Sequence, residues 1–450
     1  MKASCYNNII PAGPGKFVLF NSFRKTIGMI DGELKEALEN NSLDKLPDDQ
    51  VEELIRQGVI CANPEIERLS CRHMYNSLKY SNTYSAFTIF PTYNCNLSCP
   101  YCYQKELRTG DTSMDRTSVE KTIRFIKNTT LENKSSSLLV KFFGGEPLTE
   151  PEICIQISKE LREWAKAHNI KYIGTLTTNG TLLSGENFDR LSPYISACHI
   201  TLDGPREIHD KKRFYRGGKG TYDDIINAAS AIAGAGKILT LRVNFEEENL
   251  PRLRDLMTDL ASAGMKDCEN LIFDFGLVHP PEIPMDDYNN YLGNKRRFLS
   301  LLQDLRAVIA ETGWSDRARF TLYDDVNGDF QPFCESLKIC NYVIDPFCDL
   351  YLCPSTSLDE RYRTGRINDK GIAEWNNRYY ELKLRDPLEY EECSECLHFP
   401  VCGGGCPVHA YNEKGLFNVP CCGSSEEFVP LRVLSYLKRN HPEKMRGSEI

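Results

Sequence analysis

The stretch Tyr93-Asn94-Cys95-Asn96-Leu97-Ser98-Cys99-Pro100-Tyr101-Cys102 places three cysteines close together, directly after an apolar run, 86–91, that predicts a strand. Three thiolates at spacings of four and three can bind three irons of one cubane, whereas a [4Fe-4S] cluster normally takes four cysteines. One iron is then left open for a substrate or cofactor, by the logic that separates catalytic zinc sites from closed structural ones. A zinc site is the alternative, but it needs a fourth ligand nearby, and His73 is distant in the sequence.

Downstream of this stretch, short apolar runs alternate with longer amphipathic segments. The further strand candidates are 138–143, 172–178, 197–202, 239–245 and 271–275. The helix candidates are 116–128, 151–168, 185–191, 222–233, 250–263 and 288–312. Because parallel neighbours need a crossover and a helix usually provides it, this series predicts a parallel sheet. A partial barrel of six units and a doubly wound sheet both fit, and periodicity alone does not separate them.

Two smaller regions flank the strand–helix series. The N-terminal region predicts two strands, 17–21 and 26–30, followed by two helices, 33–40 and 48–57. It is too small for an enzyme core, and it fits a docking module and a structural cap equally well. After residue 316 the sequence becomes rich in turn residues, as expected where metal ligation replaces a hydrophobic core. One more helix candidate, 430–439, lies in the tail.

Composition excludes several classes of protein. The chain has 450 residues, of which 41% are hydrophobic and 26% charged, so neither a disordered nor a fibrous protein is expected. A net charge of -9 repels phosphate backbones and argues against a nucleic-acid partner. No apolar run approaches the roughly 18 residues of a membrane span, and no signal peptide is apparent. We therefore expect a cytoplasmic protein without a membrane partner, whose 19 cysteines indicate metal ligation or catalysis rather than disulfides.

The three-cysteine stretch, with an aromatic residue before its last cysteine, resembles the signature of the radical S-adenosylmethionine (SAM) superfamily. Gly144-Gly145-Glu146-Pro147 is similar to its glycine-rich motif, whose backbone and carboxylate hold the methionine ammonium of SAM. Two further motifs, Thr177 to Gly180 and Thr201 to Pro205, end the third and fourth strands, where a barrel keeps its ligands. The SAM contacts that the resemblance implies are Tyr101, Gly144, Gly145, Glu146, Pro147, Asn179, Thr201 and Arg213, the last as partner of the SAM carboxylate. His209 is expected to be structural.

The resemblance also implies a fold and a chemistry. The fold is α/β, a partial (β/α)6 TIM-like barrel with a small N-terminal α+β module and a C-terminal iron–sulfur domain. Cys95, Cys99 and Cys102 would bind a [4Fe-4S] cluster. An external low-potential electron donor would reduce this cluster, and SAM would be cleaved to methionine and a 5′-deoxyadenosyl radical that abstracts hydrogen from the substrate. A barrel interior suits this task because the protein must position the substrate and exclude side reactions.

A second group of cysteines fills the C-terminal part of the chain. The pattern Cys393-x2-Cys396-x5-Cys402-x3-Cys406 suits zinc, but with its neighbours it resembles the SPASM domain of peptide-modifying radical enzymes, which holds two auxiliary [4Fe-4S] clusters. By position, one cluster takes Cys334, Cys340, Cys353 and Cys406, and the other takes Cys393, Cys396, Cys402 and either Cys421 or Cys422. With the SAM-binding cluster the total is three. Cys348 stands where the family has a glycine, and we interpret it as a substitution rather than a ligand.

The resemblance divides the chain into four segments: a peptide-recognition-like module, 1–84; the radical SAM barrel, 85–312; the SPASM domain, 313–429; and a tail, 430–450. The first resembles the small modules that grip leader peptides in enzymes maturing ribosomally made peptides, and strand addition is the expected binding mode. The main hypothesis is therefore a peptide maturase that installs a crosslink, a thioether or another oxidative change in a substrate with a leader.

Two alternatives stay open. Sulfatase-maturating enzymes of the same group make formylglycine, but they carry an aspartate after the cysteine that matches Cys353, where this chain has Pro354, and they begin close to the three-cysteine motif. The other alternative is a non-catalytic electron-transfer or zinc-structured binding protein, which would not cleave SAM. Beyond the cluster cysteines no catalytic residue is identified. Asp274, Asp324 and Asp325 are candidates for a substrate acid or base, although a solvated or capping role fits each of them as well.

Overall fold

A computed structural model describes residues 1–102, 104, 112–183, 185–277, 288–319, 333–351, 353–357, 359–422 and 425–445. The chain folds into two compact units. The first contains residues 1–80, 321–338 and 381–450, and the second contains residues 81–320 and 339–380. Spatial contact thus groups the N-terminal segment with the C-terminal part of the chain. The four functional segments inferred from the sequence stay a prediction.

The N-terminal part of the first unit contains a three-stranded antiparallel sheet, in which the strand 16–21 is central. The N-terminal elements are β1 (Lys2–Ala3), β2 (Asn7–Pro11), β3 (Lys16–Asn21), β4 (Ile27–Asp31), α1 (Gly32–Glu39), α2 (Asp48–Arg56), β5 (Ile60–Cys61) and α3 (Pro64–Lys79). The two strands and two helices expected here are confirmed. Strand β2, the β1–β5 pair and α3 were not predicted.

The second unit is built on six parallel strands connected by helices. The strands are β6 (Tyr84–Ile89), β7 (Ser137–Phe142), β8 (Lys171–Thr178), β9 (Ala197–Leu202), β10 (Ile238–Phe245) and β11 (Leu271–Leu277). The helices are α4 (Arg116–Glu132), α5 (Pro151–Ala167), α6 (Gly185–Leu191), α7 (Arg206–Lys212), α8 (Tyr222–Gly234), α9 (Leu253–Ser262) and α10 (Tyr288–Glu311). The strands lie side by side in chain order. A doubly wound sheet reverses its order at a switch point, so this order supports the partial barrel.

Short strands extend both ends of the barrel sheet. On one side β12 (Ala318–Arg319) pairs in parallel with β11. On the other side β13 (Asn341–Ile344) pairs in parallel with β6, followed in antiparallel order by β14 (Asp349–Tyr351), β15 (Arg363–Ile367) and β16 (Ala373–Trp375). The first strands of the cysteine-rich region are therefore a continuation of the barrel sheet.

The remaining helices follow β16, and most of them belong to the first unit. They are α11 (Asn377–Lys383), α12 (Glu391–Ser394), α13 (Phe399–Cys402), α14 (Pro407–Lys414) and α15 (Ser425–Asn440). Helix α15, which contains the predicted helix 430–439, shares a buried core with the N-terminal sheet, in which Val433 and Leu437 lie with Val18 and Phe20. None of the helices in the described part of the chain is long and apolar enough to cross a membrane.

Candidate active site at the carboxyl end of the barrel strands

The three-cysteine loop follows β6. Cys95 and Cys99 are buried around Leu97, with Tyr101 and Cys102 packed against them. Burial raises the pKa of Cys99 to about 11, and binding to a metal would favour its thiolate form. Among the described residues, no three His, Cys, Asp or Glu side chains are arranged to hold a single metal ion. A cubane binds each cysteine through a different iron, so its ligands lie farther apart than those of one ion.

The glycine-rich loop lies against the residues that lead into Cys95. A Cβ atom on Gly144 would collide with the carbonyl of Thr92, and one on Gly145 would collide with the carbonyl of Asn94. The Gly145 N–H donates to Thr92 O (3.2 Å), and the Glu146 N–H donates to Asn94 O (2.7 Å). This close approach requires glycine at both positions. The motif therefore does more than turn the chain after β7, because it fixes the cysteine loop.

Glu146 links this loop to the end of β8. Its carboxylate is fully buried and accepts hydrogen bonds from Thr178 Oγ1 (2.7 Å) and from the backbone N–H of Asn179 (2.6 Å). Burial raises the pKa of Glu146, and these hydrogen bonds oppose the rise. The Asn179 side chain in turn donates to Cys95 Sγ (3.7 Å). The carboxylate thus supports Asn179 beside the first cysteine, and its predicted contact with SAM stays a prediction.

A buried network of charged and polar side chains lies at the carboxyl end of β9. The Tyr101 hydroxyl donates to Asp203 Oδ2 and accepts from Arg213 Nη1 (2.8 Å), while Asn244 Nδ2 donates to Asp203 Oδ1 (3.1 Å). Burial opposes the charge of Arg213, but Tyr101 and Asp203 raise its pKa overall. Arg213 Nε is buried and has no hydrogen-bond partner among the described residues. This open donor, close to the cluster cysteines, fits the carboxylate of a bound SAM.

His209 closes this network into a ring. Its Nδ1 accepts from the Asp203 N–H (3.1 Å), so the proton is on Nε2, which lies 3.0 Å from Thr221 Oγ1. Thr221 Oγ1 donates to the Arg213 carbonyl (2.8 Å). Burial, and then the charge of Arg213, lower the pKa of His209 well below its usual value. His209 is therefore a neutral structural residue, as expected from the sequence.

The second group of cysteines has four thiols close together in the first unit. Burial, followed by the nearby thiols of Cys402, Cys396 and Cys422, raises the pKa of Cys393 to about 12. Burial raises the pKa of Cys396 as well, and the thiols of Cys402 and Cys422 add to this rise. Cys421 is buried, and its Sγ lies 3.6 Å from Glu413 Oε2. Cys421 thus contacts Glu413, whereas Cys422 acts on the pKa values of Cys393 and Cys396.

Arg385 connects the loops that carry these cysteines. Its guanidinium is fully buried, and it donates to the carbonyls of Phe417 (2.9 Å), Gly404 (2.6 Å) and Val419 (3.0 Å). Gly404 lies between Cys402 and Cys406, and Val419 lies two residues before Cys421. One side chain therefore fixes both ends of the four-thiol group.

Comparison with known proteins identifies a domain within the barrel. Residues 89–260 match the family model of the radical SAM superfamily. The chain carries a radical SAM domain. The domain marks the chain as an enzyme that uses a [4Fe-4S] cluster and SAM.

Curated relatives and a solved structure extend the similarity beyond this domain. The mycofactocin maturase MftC of Mycobacterium tuberculosis is 26% identical over 70% of this chain and 76% of its own length. The cysteine-type anaerobic sulfatase-maturating enzyme of Clostridium novyi is 24% identical over 70% of this chain and 85% of its own length. SuiB of Streptococcus suis, solved with bound SAM, shares the fold over 94% of this chain and 99% of its own, with a TM-score of 0.52 and 15% identity.

The radical SAM domain contains the other residues expected at its site. Pro147 is buried and follows Glu146, and Thr201 lies on the half-buried face of β9, two residues before Asp203. From the sequence alone, neither Asp203 nor Asn244 was expected at the site. The alternation of strand residues is the signal that could have placed Asn244 on the same face as Arg242. Asp324 and Asp325 lie outside the described residues.

Changing Asp203 tests the network around Arg213. We expect Asp203→Asn to weaken SAM binding by about tenfold, because the guanidinium loses the buried charge that holds it in place. Equilibrium dialysis with labelled SAM measures this change. Asp223→Asn, which removes the partner of Arg206 on the surface, is the control and should leave SAM binding unchanged. Equal affinities for the two variants would contradict the positioning role of Asp203.

Cys348 lies outside the radical SAM domain, and its geometry explains the glycine that the family has at this position. Its φ is 64°, in the left-handed region, and its Sγ lies 3.6 Å from the Ser118 carbonyl. The thiol is thus directed toward α4. We expect Cys348→Gly to keep the full iron content and to change the free energy of unfolding by less than about 1 kcal/mol, because relief of strain offsets the lost side-chain contact. Loss of iron in this variant would identify Cys348 as a ligand.

Proposed function

We propose that this chain is a radical SAM/SPASM enzyme that oxidatively modifies a ribosomally made peptide or protein, installing a crosslink, a thioether or a similar bond. One observation carries the proposal. The cysteine loop, the glycine-rich loop, Asn179 and the Tyr101–Asp203–Arg213 network meet at one end of the barrel strands. Similarity to a mycofactocin maturase supports a role in maturation.

In the proposed site each group of residues has its own task. Cys95, Cys99 and Cys102 would bind the [4Fe-4S] cluster, and Arg213 would pair with the SAM carboxylate through its free Nε. The glycine-rich loop would offer backbone carbonyls to the SAM ammonium. When bound, the cluster and SAM supply the radical that abstracts hydrogen from the substrate. The ring of hydrogen bonds through His209 holds Arg213 in place before SAM arrives, so little reorganisation is needed on binding.

The remaining cysteines are proposed to hold two auxiliary [4Fe-4S] clusters. One takes Cys334, Cys340, Cys353 and Cys406, as carried over from the family pattern. The other takes Cys393, Cys396, Cys402 and Cys422, since the Cys421 thiol faces Glu413 instead. Clusters in which every iron has a protein ligand suit electron transfer. An external low-potential donor would supply the electrons. Oxygen-sensitive clusters and free thiols fit the cytoplasm, where we place the protein.

The leader of the substrate is proposed to add a strand to the N-terminal sheet at β4. In the described part of the chain β4 pairs only with β3, so its other edge is open. The Asn21 N–H donates to the Thr26 carbonyl (2.9 Å), and Val18 is the partner of Met29. Because hydrogen-bonded and non-bonded pairs alternate in an antiparallel ladder, the N–H and C=O of Met29 point to the open edge. They can pair with an incoming strand.

Proline at position 29 tests this docking edge. We expect Met29→Pro to weaken binding of the candidate precursor peptide by about tenfold or more, because the outward N–H is removed while the β3–β4 ladder remains. Met29→Ala is the matched control, since it loses the same side chain but keeps the N–H. Fluorescence anisotropy of a labelled leader peptide measures both. Equal binding by the two variants would place the peptide elsewhere.

Anaerobic purification followed by iron and product analysis tests the function as a whole. We expect about twelve irons per chain, which is three cubanes of four, and formation of 5′-deoxyadenosine after reduction with dithionite in the presence of SAM. The triple variant Cys95→Ala, Cys99→Ala, Cys102→Ala should form no 5′-deoxyadenosine and keep about eight irons. Zinc without iron, and no SAM cleavage, would instead establish a zinc-structured binding protein.

Sulfatase maturation is the second candidate, because a relative with that name covers most of this chain. Against it, Pro354 follows Cys353 and begins a short helical turn, so the position of the expected base has no ionisable group. Incubation with a cysteine-containing sulfatase peptide decides between the two. An aldehyde in the product would establish sulfatase maturation, and its absence is expected.

A further inference from the structure

The interior face of the radical SAM barrel carries a group of charged residues that no step above uses. Along β7, β9, β10 and β11, fully buried residues alternate with half-buried ones, as the two faces of a barrel strand require. The buried face is apolar. The half-buried face carries Lys141, His199, Arg242 and Asp274, one from each strand. We call these four residues the interior polar cluster.

Strand register and electrostatics bring the four residues together. Arg242 is the register partner of Asp274, and its Nη1 donates to Asp274 Oδ2 (2.7 Å). A Cβ atom on Gly276 would collide with the Arg242 guanidinium, so the glycine makes room for it. Lys141 is level with Ala197 through Thr175 on β8, and Arg242 is the register partner of Thr201, so both lie two residues from His199 along the same face of β9. The charges of Asp274, Lys141 and Arg242 act on the pKa of His199.

The interior polar cluster carries a net positive charge of one. Arg242 and Asp274 neutralise each other, and burial lowers the pKa of His199 to about 4, so its imidazole is neutral at physiological pH. Lys141 has no carboxylate partner among the described residues, and burial lowers its pKa. An ammonium held in a half-buried site without a counter-ion is costly, and a bound anion removes that cost.

We propose that the interior polar cluster binds one carboxylate of the substrate, that of an aspartate or glutamate side chain near the atom that loses hydrogen. Lys141 provides the ion pair, and the neutral imidazole of His199 provides a hydrogen bond without adding charge. The Arg242–Asp274 pair keeps the net charge of the site at plus one, which matches a single carboxylate. This inference rests on the proposed function, because it assigns the substrate as a peptide with an acidic residue at the modified position.

Binding of a minimal probe tests the inference without knowledge of the peptide. The probe is N-acetyl-L-glutamic acid α-methylamide, and its neutral counterpart is N-acetyl-L-glutamine α-methylamide. Isothermal titration calorimetry is carried out on the full chain with oxidised clusters and saturating SAM, so that the SAM carboxylate already occupies its own site. We expect the glutamate probe to bind at least about tenfold more tightly than the glutamine probe.

Variants of Lys141 locate the site. Lys141→Met should abolish the preference for the glutamate probe, and Lys141→Arg should keep it within about threefold, since the charge remains. Lys171→Met, at the exposed start of β8, is the matched control and should behave as the unchanged chain. Equal binding of both probes, no binding of either, or a preference that survives Lys141→Met would each overturn the inference. SAM cleavage in the same preparations reports separately on the proposed function.

Discussion

Replacing Arg385 by methionine should lower the free energy of unfolding of the first unit by about 3 to 5 kcal/mol, because buried carbonyls lose their donors without gaining others. The guanidinium is the common partner of Gly404, Phe417 and Val419, and methionine fills much of its volume but offers no N–H group. Lys79 Nζ also donates to the Arg385 carbonyl (2.6 Å), so the backbone at this position is itself fixed. The substitution therefore removes several hydrogen bonds at once from a backbone that is otherwise held in place.

The same variant should lose iron. With the loops around Cys402 and Cys422 released, we expect about eight irons per chain instead of about twelve. Anaerobic urea denaturation and iron quantification measure the two effects. Arg68→Met is the control, because Arg68 is largely exposed and lies 3.9 Å from Glu395, a surface pair that contributes little. If Arg385→Met were as stable as Arg68→Met, Arg385 would not fix these loops.

Serine substitution of the two adjacent cysteines should give opposite results. We expect Cys422→Ser to lose about four irons per chain, since a closed cubane needs four thiolates. Cys421→Ser should keep all of them, because the Cys421 thiol contacts Glu413, whereas Cys422 is among the thiols that act on the pKa of Cys393. A Cβ on Gly405 would collide with the Cys421 carbonyl, which shows how closely this backbone packs on the cysteine loop.

Iron and sulfide analysis of the two variants, purified side by side without oxygen, gives the answer. Each serves as the control for the other, because the substitutions are identical and the positions are neighbours. Iron loss from Cys421→Ser with full iron in Cys422→Ser would reverse the assignment. Full iron in both would show that neither thiol is a ligand.

The sequence predicted the barrel because its periodicity is strong. Six β-branched or aromatic runs separated by amphipathic helices appear in the structure as β6 to β11, with ends shifted by only a few residues. The N-terminal module was predicted less completely. Helix α3 was missed because its buried positions are Glu67, Cys71, Tyr75 and Lys79, a stripe in which two of the four residues are of a charged type. Such a stripe does not produce the apolar period on which helix prediction depends.

By itself, the sequence determined the chemistry of this protein. The cysteines of the cluster motif are local in the chain, and so are the residues of the glycine-rich motif, so the spacing within each motif can be read directly from the sequence. Only the tertiary structure decided between the barrel and the doubly wound sheet, since strand order is a matter of which strands pair. It also brought Tyr101, Asp203 and Arg213 into one network and directed Cys421 and Cys422 to different neighbours. The network joins residues far apart in the chain, and the two adjacent cysteines have different neighbours in space. No local sequence pattern encodes either arrangement.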